Sequence, residues 1–131
     1  MRLCLAALLL VPVIAQAQAQ TQTQAQTQGS GDWVPKPMAE LQLLDKVTAR
    51  ISTLRAPVGQ ATRVGTLTIR VTACNARPPD EVPDASAFIE VSDGRRANGF
   101  QDVFRGWMFA NAPGVNMLEH PVYDLRVIDC K

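Results

Sequence analysis

Strict alternation of apolar and polar side chains dominates the second half of the chain. From Thr66 to Cys74, Leu67, Ile69, Val71 and Ala73 share one face, while Thr66, Thr68, Arg70, Thr72 and Cys74 share the other. That period of two predicts a half-buried strand. Ala87, Ile89 and Val91 alternate with Phe88, Glu90 and Ser92 in the same way, and Tyr123, Leu125 and Val127 oppose Asp124 and Arg126 before the pattern slips at Ile128. A further strand is expected where Val47, Ala49 and Ile51 alternate with Thr48, Arg50 and Ser52, with shorter ones at Glu40–Leu44, around Gln60–Val64 and at Gly106–Phe109. Turn signals separate them: Pro57-Val58-Gly59, the proline-rich stretch from Arg77 to Asp84, Ser92-Asp93-Gly94 and Ala112-Pro113-Gly114. The one helical candidate is Val115–Glu119, a single turn. Strands about ten residues apart without helical periodicity predict an all-β fold, a small antiparallel sandwich or barrel.

The first third reads differently. Arg2 precedes an apolar run from Leu3 to Ala15, too short for a bilayer span of about 20 residues but of the length of an export-signal core. Ala15-Gln16-Ala17 and Ala17-Gln18-Ala19 offer small residues at the spacing a signal peptidase reads. Residues 1–19 are therefore expected to be a signal peptide, and no other stretch is apolar enough to cross a bilayer. Residues 20–38 are expected to be a disordered tether: Gln alternates with Ala and Thr up to Gln28, Gly29-Ser30-Gly31 follows, and little apolar area is present to offset ordering entropy. Trp33, Pro35 and Pro37 mark an extended approach to a β-domain expected over 39–131.

Charge narrows the partners. The chain of 131 residues has 13 Lys+Arg against 12 Asp+Glu, and loss of Arg2 with the leader balances them. Nucleic acid and anionic membrane surfaces are held by surplus basic residues, so neither is an expected partner. Hydrophobic residues at 47% and charged residues at 19% mark the bulk of the chain as neither disordered nor membrane-spanning. The expected location is periplasmic or secreted.

Removal of the leader takes Cys4 with it and leaves Cys74 and Cys130 in an oxidising compartment, where an even count favours a disulfide. If their strands are neighbours, the thiols meet across one face of the sheet. The bridge closes a loop of about 57 residues, worth roughly 4 kcal/mol in the chain-entropy account. A catalytic thiol pair lacks a Cys-x-x-Cys context to lower a thiol's pKa, and zinc needs more soft ligands than His120 and two cysteines supply.

Several segments together are specific: Lys46-Val47-Thr48-Ala49-Arg50, Pro57-Val58-Gly59, Gly65-Thr66-Leu67, Ala73-Cys74, Arg77-Pro78-Pro79-Asp80-Glu81, Ala87-Phe88-Ile89-Glu90-Val91, Phe104-Arg105-Gly106-Trp107-Met108-Phe109-Ala110, Glu119-His120-Pro121-Val122-Tyr123-Asp124 and Asp129-Cys130. Over Ala39 to Lys131 the chain resembles domain-of-unknown-function family 2155, small exported proteins of alphaproteobacteria. The resemblance implies an envelope location and a short domain. It brings no activity and no catalytic residues.

Candidate chemistry is sparse. His120 is the chain's one imidazole, so any Ser–His or Cys–His mechanism runs through it. Ser52, Ser86, Ser92 and Asp124 are available partners, but none sits in a nucleophile-elbow context. A histidine bonded to turn backbone is the preferred explanation over a catalytic role. Glu90 and Asp93 could flank a glycosidic bond. Asp80-Glu81-Val82-Pro83-Asp84 lacks the alternating oxygen ligands of a calcium loop. No metal or cofactor is expected.

Surfaces are more informative. Arg77-Pro78-Pro79 is stiff and extended and loses little entropy on docking. Phe104 to Phe109 holds three of the chain's seven aromatic residues, with Trp107 and Phe109 expected on one side and Phe104 and Met108 on the other. Such a strand is either a two-sided core strand or, with one face open, a binding anchor of Trp107 and Phe109 beside Arg105, able to stack on sugar. The expected function is a non-catalytic module binding an envelope protein or cell-wall component. The candidate surface is Arg77, Pro78, Pro79, Arg105, Trp107, Phe109 and His120. The alternatives are a small periplasmic hydrolase using His120 or Glu90/Asp93, and an accessory or assembly factor of an envelope complex.

Overall fold

A computed structural model describes residues 32–95 and 99–131. The expected leader and most of the expected tether lie outside the described residues. Eight strands follow in chain order: β1 (Val34–Pro35), β2 (Met38–Asp45), β3 (Arg50–Pro57), β4 (Ala61–Val64), β5 (Leu67–Ala76), β6 (Ala85–Asp93), β7 (Gln101–Phe109) and β8 (Tyr123–Cys130). The fold is the expected all-β, antiparallel one, in sandwich form. The larger sheet runs β1-β5-β6-β7, and β4 pairs with the other end of the β5 edge that β1 occupies; the smaller sheet runs β3-β2-β8.

The inward faces are those the alternation marks. Leu67, Ile69 and Val71 of β5 and Ala87, Ile89 and Val91 of β6 are buried, and opposite them lie Ala39, Leu41 and Leu43 of β2 with Tyr123, Leu125 and Val127 of β8. Burial of these branched side chains between two sheets supplies most of the driving force for folding.

Both cysteines owe their orientation to bulges. On β5, Val71 pairs with Ile89 and Ala73 with Phe88, so Thr72 is the extra residue. The phase therefore reverses, and Cys74 turns into the core rather than outward beside Arg70 and Thr72 as expected. On β8, Asp129 pairs with Glu40 and Val127 with Leu41, which makes Ile128 the extra residue and buries Cys130. The two cysteines form a disulfide with Cα atoms 5.7 Å apart. Their strands are not neighbours in one sheet: β5 belongs to the larger sheet and β8 to the smaller, so the bridge crosses the sandwich.

Four other expectations change. Val47, Ala49 and Ile51 do not share a strand, because residues 46–49 form the β2–β3 turn. Asp45 Oδ1 accepts the Val47 and Thr48 amides at 2.9 and 3.1 Å, and Ala49 reverses the chain with φ 55°. Val115–Glu119 is irregular rather than helical: Asn116 Nδ2 donates to the Trp107 carbonyl at 2.9 Å, and Leu118 is buried. The strand expected at Gly106–Phe109 extends back to Gln101. Strand pairing also begins ahead of Ala39, since Val34 pairs with Ala76, Pro35 with Asn75, and Lys36 N donates to Cys74 O at 2.8 Å.

Candidate functional site

The two ends of β6 carry the two groups of residues that matter, roughly 26 Å apart at about 3.3 Å per residue. At the Asp93 end stands His120, buried in the segment that leads into β8. Its Nδ1 accepts the backbone amides of Val122 and Tyr123, each at 3.1 Å. With Nδ1 occupied as an acceptor, Nε2 carries the ring proton and donates it to Asp93 Oδ2 at 3.0 Å. The Tyr123 ring packs against the imidazole at 5.4 Å, and Lys46 donates to the His120 carbonyl.

Asp93 is held for the same purpose. Desolvation pushes its pKa up, but hydrogen bonds from His120 and the Arg95 amide outweigh it and bring the value down to about 2. The Arg95 amide donates at 3.0 Å, while Thr66 Oγ1 is buried nearby outside strict hydrogen-bond geometry. Gly65 completes the packing. Its φ of 55° suits glycine at the first position of the two-residue β4–β5 loop, and a Cβ there would overlap Tyr123 Oη. His120 thus joins the β2–β3 turn, the end of β6 and the start of β8. Both ring nitrogens are engaged and the side chain is 2% exposed, so no nucleophile has access to it.

The carboxylates do not converge. Glu90 faces outward and pairs with Arg105 at 3.2 Å, whereas Asp93 faces inward, so the two cannot flank one glycosidic bond. Among the described residues no group of three or more His, Cys, Asp or Glu could hold a metal ion.

At the Ala85 end the outer face of the larger sheet is aromatic. Pro35, Asn75, Ser86 and Phe109 form one row across β1, β5, β6 and β7, and Phe88 with Trp107 forms the next. A groove of about 300 Å³ is lined by Trp33, Asn75, Ser86, Trp107 and Phe109. The short side chains of Asn75 and Ser86 lie between the rings. Trp107 is 38% exposed and stands edge-on to Phe88 at 5.5 Å. The Arg77 guanidinium sits 4.1 Å over the Trp33 ring and reaches Glu81 at 3.6 Å.

Of the residues singled out in the sequence, Trp107 and Phe109 therefore share an open face, with Met108 buried behind them and Phe104 packed against the core. Arg77 meets that face through Trp33. Pro78 is half-buried and Pro79 exposed in the loop beyond, Arg105 lies along β7 against Glu90, and His120 is at the far end of the sandwich. Sequence reasoning missed Trp33, Asn75 and Ser86 as parts of one groove, and Asp93 as the partner of His120. The outward phase of Ser86 was legible from the β6 alternation; that of Asn75 was hidden by the bulge at Thr72.

Among the described residues no helix is long and apolar enough to cross a membrane. No curated protein and no solved structure matches the chain. A family model does, over residues 39–130, leaving Trp33 and β1 ahead of the matched region. The chain belongs to the bacterial family described as "uncharacterized protein conserved in bacteria (DUF2155)".

Proposed function

We infer that the protein is a non-catalytic binding module of the cell envelope, holding an envelope protein or cell-wall component on the outer face of its larger sheet. The observation that carries this reading is the groove between Trp33, Trp107 and Phe109, where an exposed Trp107 and a half-buried Phe109 on β7 face a half-buried Trp33 just ahead of β1 on the outer side of the sheet rather than in the core. Aromatic anchors of this kind dominate binding energetics because they bury large area at small entropic cost. A hydrolase reading has no comparable support, since His120 is enclosed and Glu90 and Asp93 face opposite ways. Export to the periplasm or beyond is supported by the leader-like segment ending near Ala19 and by the Cys74–Cys130 bridge.

Retention of the purified chain on isolated native envelopes tests this. Trp107→Ala combined with Phe109→Ala is expected to weaken retention by about tenfold or more, and Ile51→Ser on the smaller sheet to leave it unchanged. Full retention by the double variant contradicts the reading. So does hydrolysis of peptidoglycan that is abolished by Glu90→Ala.

A further inference from the structure

We propose that the groove takes an uncharged oligosaccharide, its pyranose rings stacked on Trp107 and Trp33 and its hydroxyls bonded to Asn75 above a floor closed by Ser86. This rests on the reading of the groove as the binding site and names its ligand class. Three features of the lining argue for it. None of the five side chains carries a formal charge, and the Arg77 guanidinium over Trp33 is already paired with Glu81 at 3.6 Å, so the lining itself does not compensate a charged ligand. Aromatic rings flank a floor of two short polar side chains, which matches a sugar ring's apolar faces and polar rim. The amide of half-buried Asn75 both donates and accepts, as sugar hydroxyls do, while Ser86, 4% exposed, forms the base of the floor. A proline-rich segment, the other common guest of aromatic grooves, presents backbone acceptors without prolyl donors and uses only half of that capacity.

The groove is also preorganised. Phe88 braces the Trp107 ring from its edge, and Arg77 holds Trp33 from one face at 4.1 Å. Rings fixed before the ligand arrives cost less entropy on binding. At about 300 Å³ the space suits a short glycan and is too small for a docked helix about 10–12 Å across.

Trp33 and Trp107 are the two tryptophans of the chain, so intrinsic fluorescence reports on this groove directly. Chitotetraose, cellotetraose and maltotetraose serve as uncharged probes, oligogalacturonate as a charged one and hexaproline as the peptide. At least one uncharged tetrasaccharide is expected to shift the emission and protect both tryptophans from acrylamide, with a Kd at or below about 10 mM. Trp33→Ala and Trp107→Ala are each expected to weaken that binding by about tenfold or more. Asn75→Ala provides a second readout that spares both rings, and quencher protection in the unaltered chain needs no variant at all.

Failure of all three uncharged glycans, stronger binding of oligogalacturonate, or binding that survives both tryptophan variants overturns the proposal. A response to hexaproline alone also overturns it while leaving the groove as the binding site. If envelope retention fails as well, the underlying reading falls with it.

Discussion

Acid should weaken this fold through one identifiable carboxylate. Asp93 has its pKa lowered from 3.8 to about 2 in the folded chain, because hydrogen bonds to its ionised form outweigh the desolvation that opposes them. A depressed folded-state pKa contributes stability that is fully present above the unfolded value and is lost as pH falls through the folded one. At 1.36 kcal/mol per pKa unit, Asp93 contributes about 2 kcal/mol at pH 6, lost progressively between about pH 5 and pH 1. Asp93→Asn removes the titrating group and keeps its size. Glu40 and Asp45 are also lowered, by Lys131 and by the Thr48 amide respectively, but they remain in the variant and cancel in the comparison. Urea unfolding at pH 6 and pH 2 is expected to show the parent losing about 2 kcal/mol more than Asp93→Asn across that interval. Equal losses would refute the claim that the His120–Asp93 contact is formed with an ionised carboxylate.

Other perturbations probe the frame around that contact and the bridge across the sandwich. Gly65→Ala is expected to cost about 2–4 kcal/mol, from the left-handed backbone and overlap with Tyr123 Oη, and part of that should return in a Tyr123→Phe background measured by thermal unfolding. Ala49→Gly is expected to stabilise by about 0.5–1 kcal/mol, since Ala49 is the one non-glycine with positive φ among the described residues; a lower denaturation midpoint would contradict this. Replacing Cys74 and Cys130 together with alanine is expected to cost roughly 4 kcal/mol, read from unfolding midpoints with and without reductant on the parent chain. A loss under about 1 kcal/mol would mean that the inter-sheet bridge adds little to the packing.

The strands were legible wherever one face is buried and the chain stays in phase, as on Leu67–Val71, Ala87–Val91 and Tyr123–Val127. Local pattern failed where tertiary pairing inserts an extra residue. The bulge at Thr72 turned an outward cysteine inward, and that reversal moved the disulfide from within one sheet to between two. The apparent strand at Val47–Ile51 was an alternation without burial: Val47 is 74% and Ile51 60% exposed, and the Asp45 carboxylate organises the turn beneath them. The candidate site was half legible. Trp107 and Phe109 could be placed on one side of β7 from spacing alone, but Trp33 joins them only because β1 pairs with β5 some forty residues later, about which neighbouring residues say nothing. His120 could be recognised as singular in the sequence, and its pairing with Asp93 depends on the loop geometry before β8.

The central claim is that the aromatic face of the larger sheet is the working surface. A photo-crosslinking amino acid installed at Phe109, and separately at Thr53 on the outward face of the smaller sheet, tests it most directly when each chain is irradiated with native envelopes. Adducts from position 109 and none from position 53 are expected. Adducts from position 53 alone, or equal yields from both, would contradict the account.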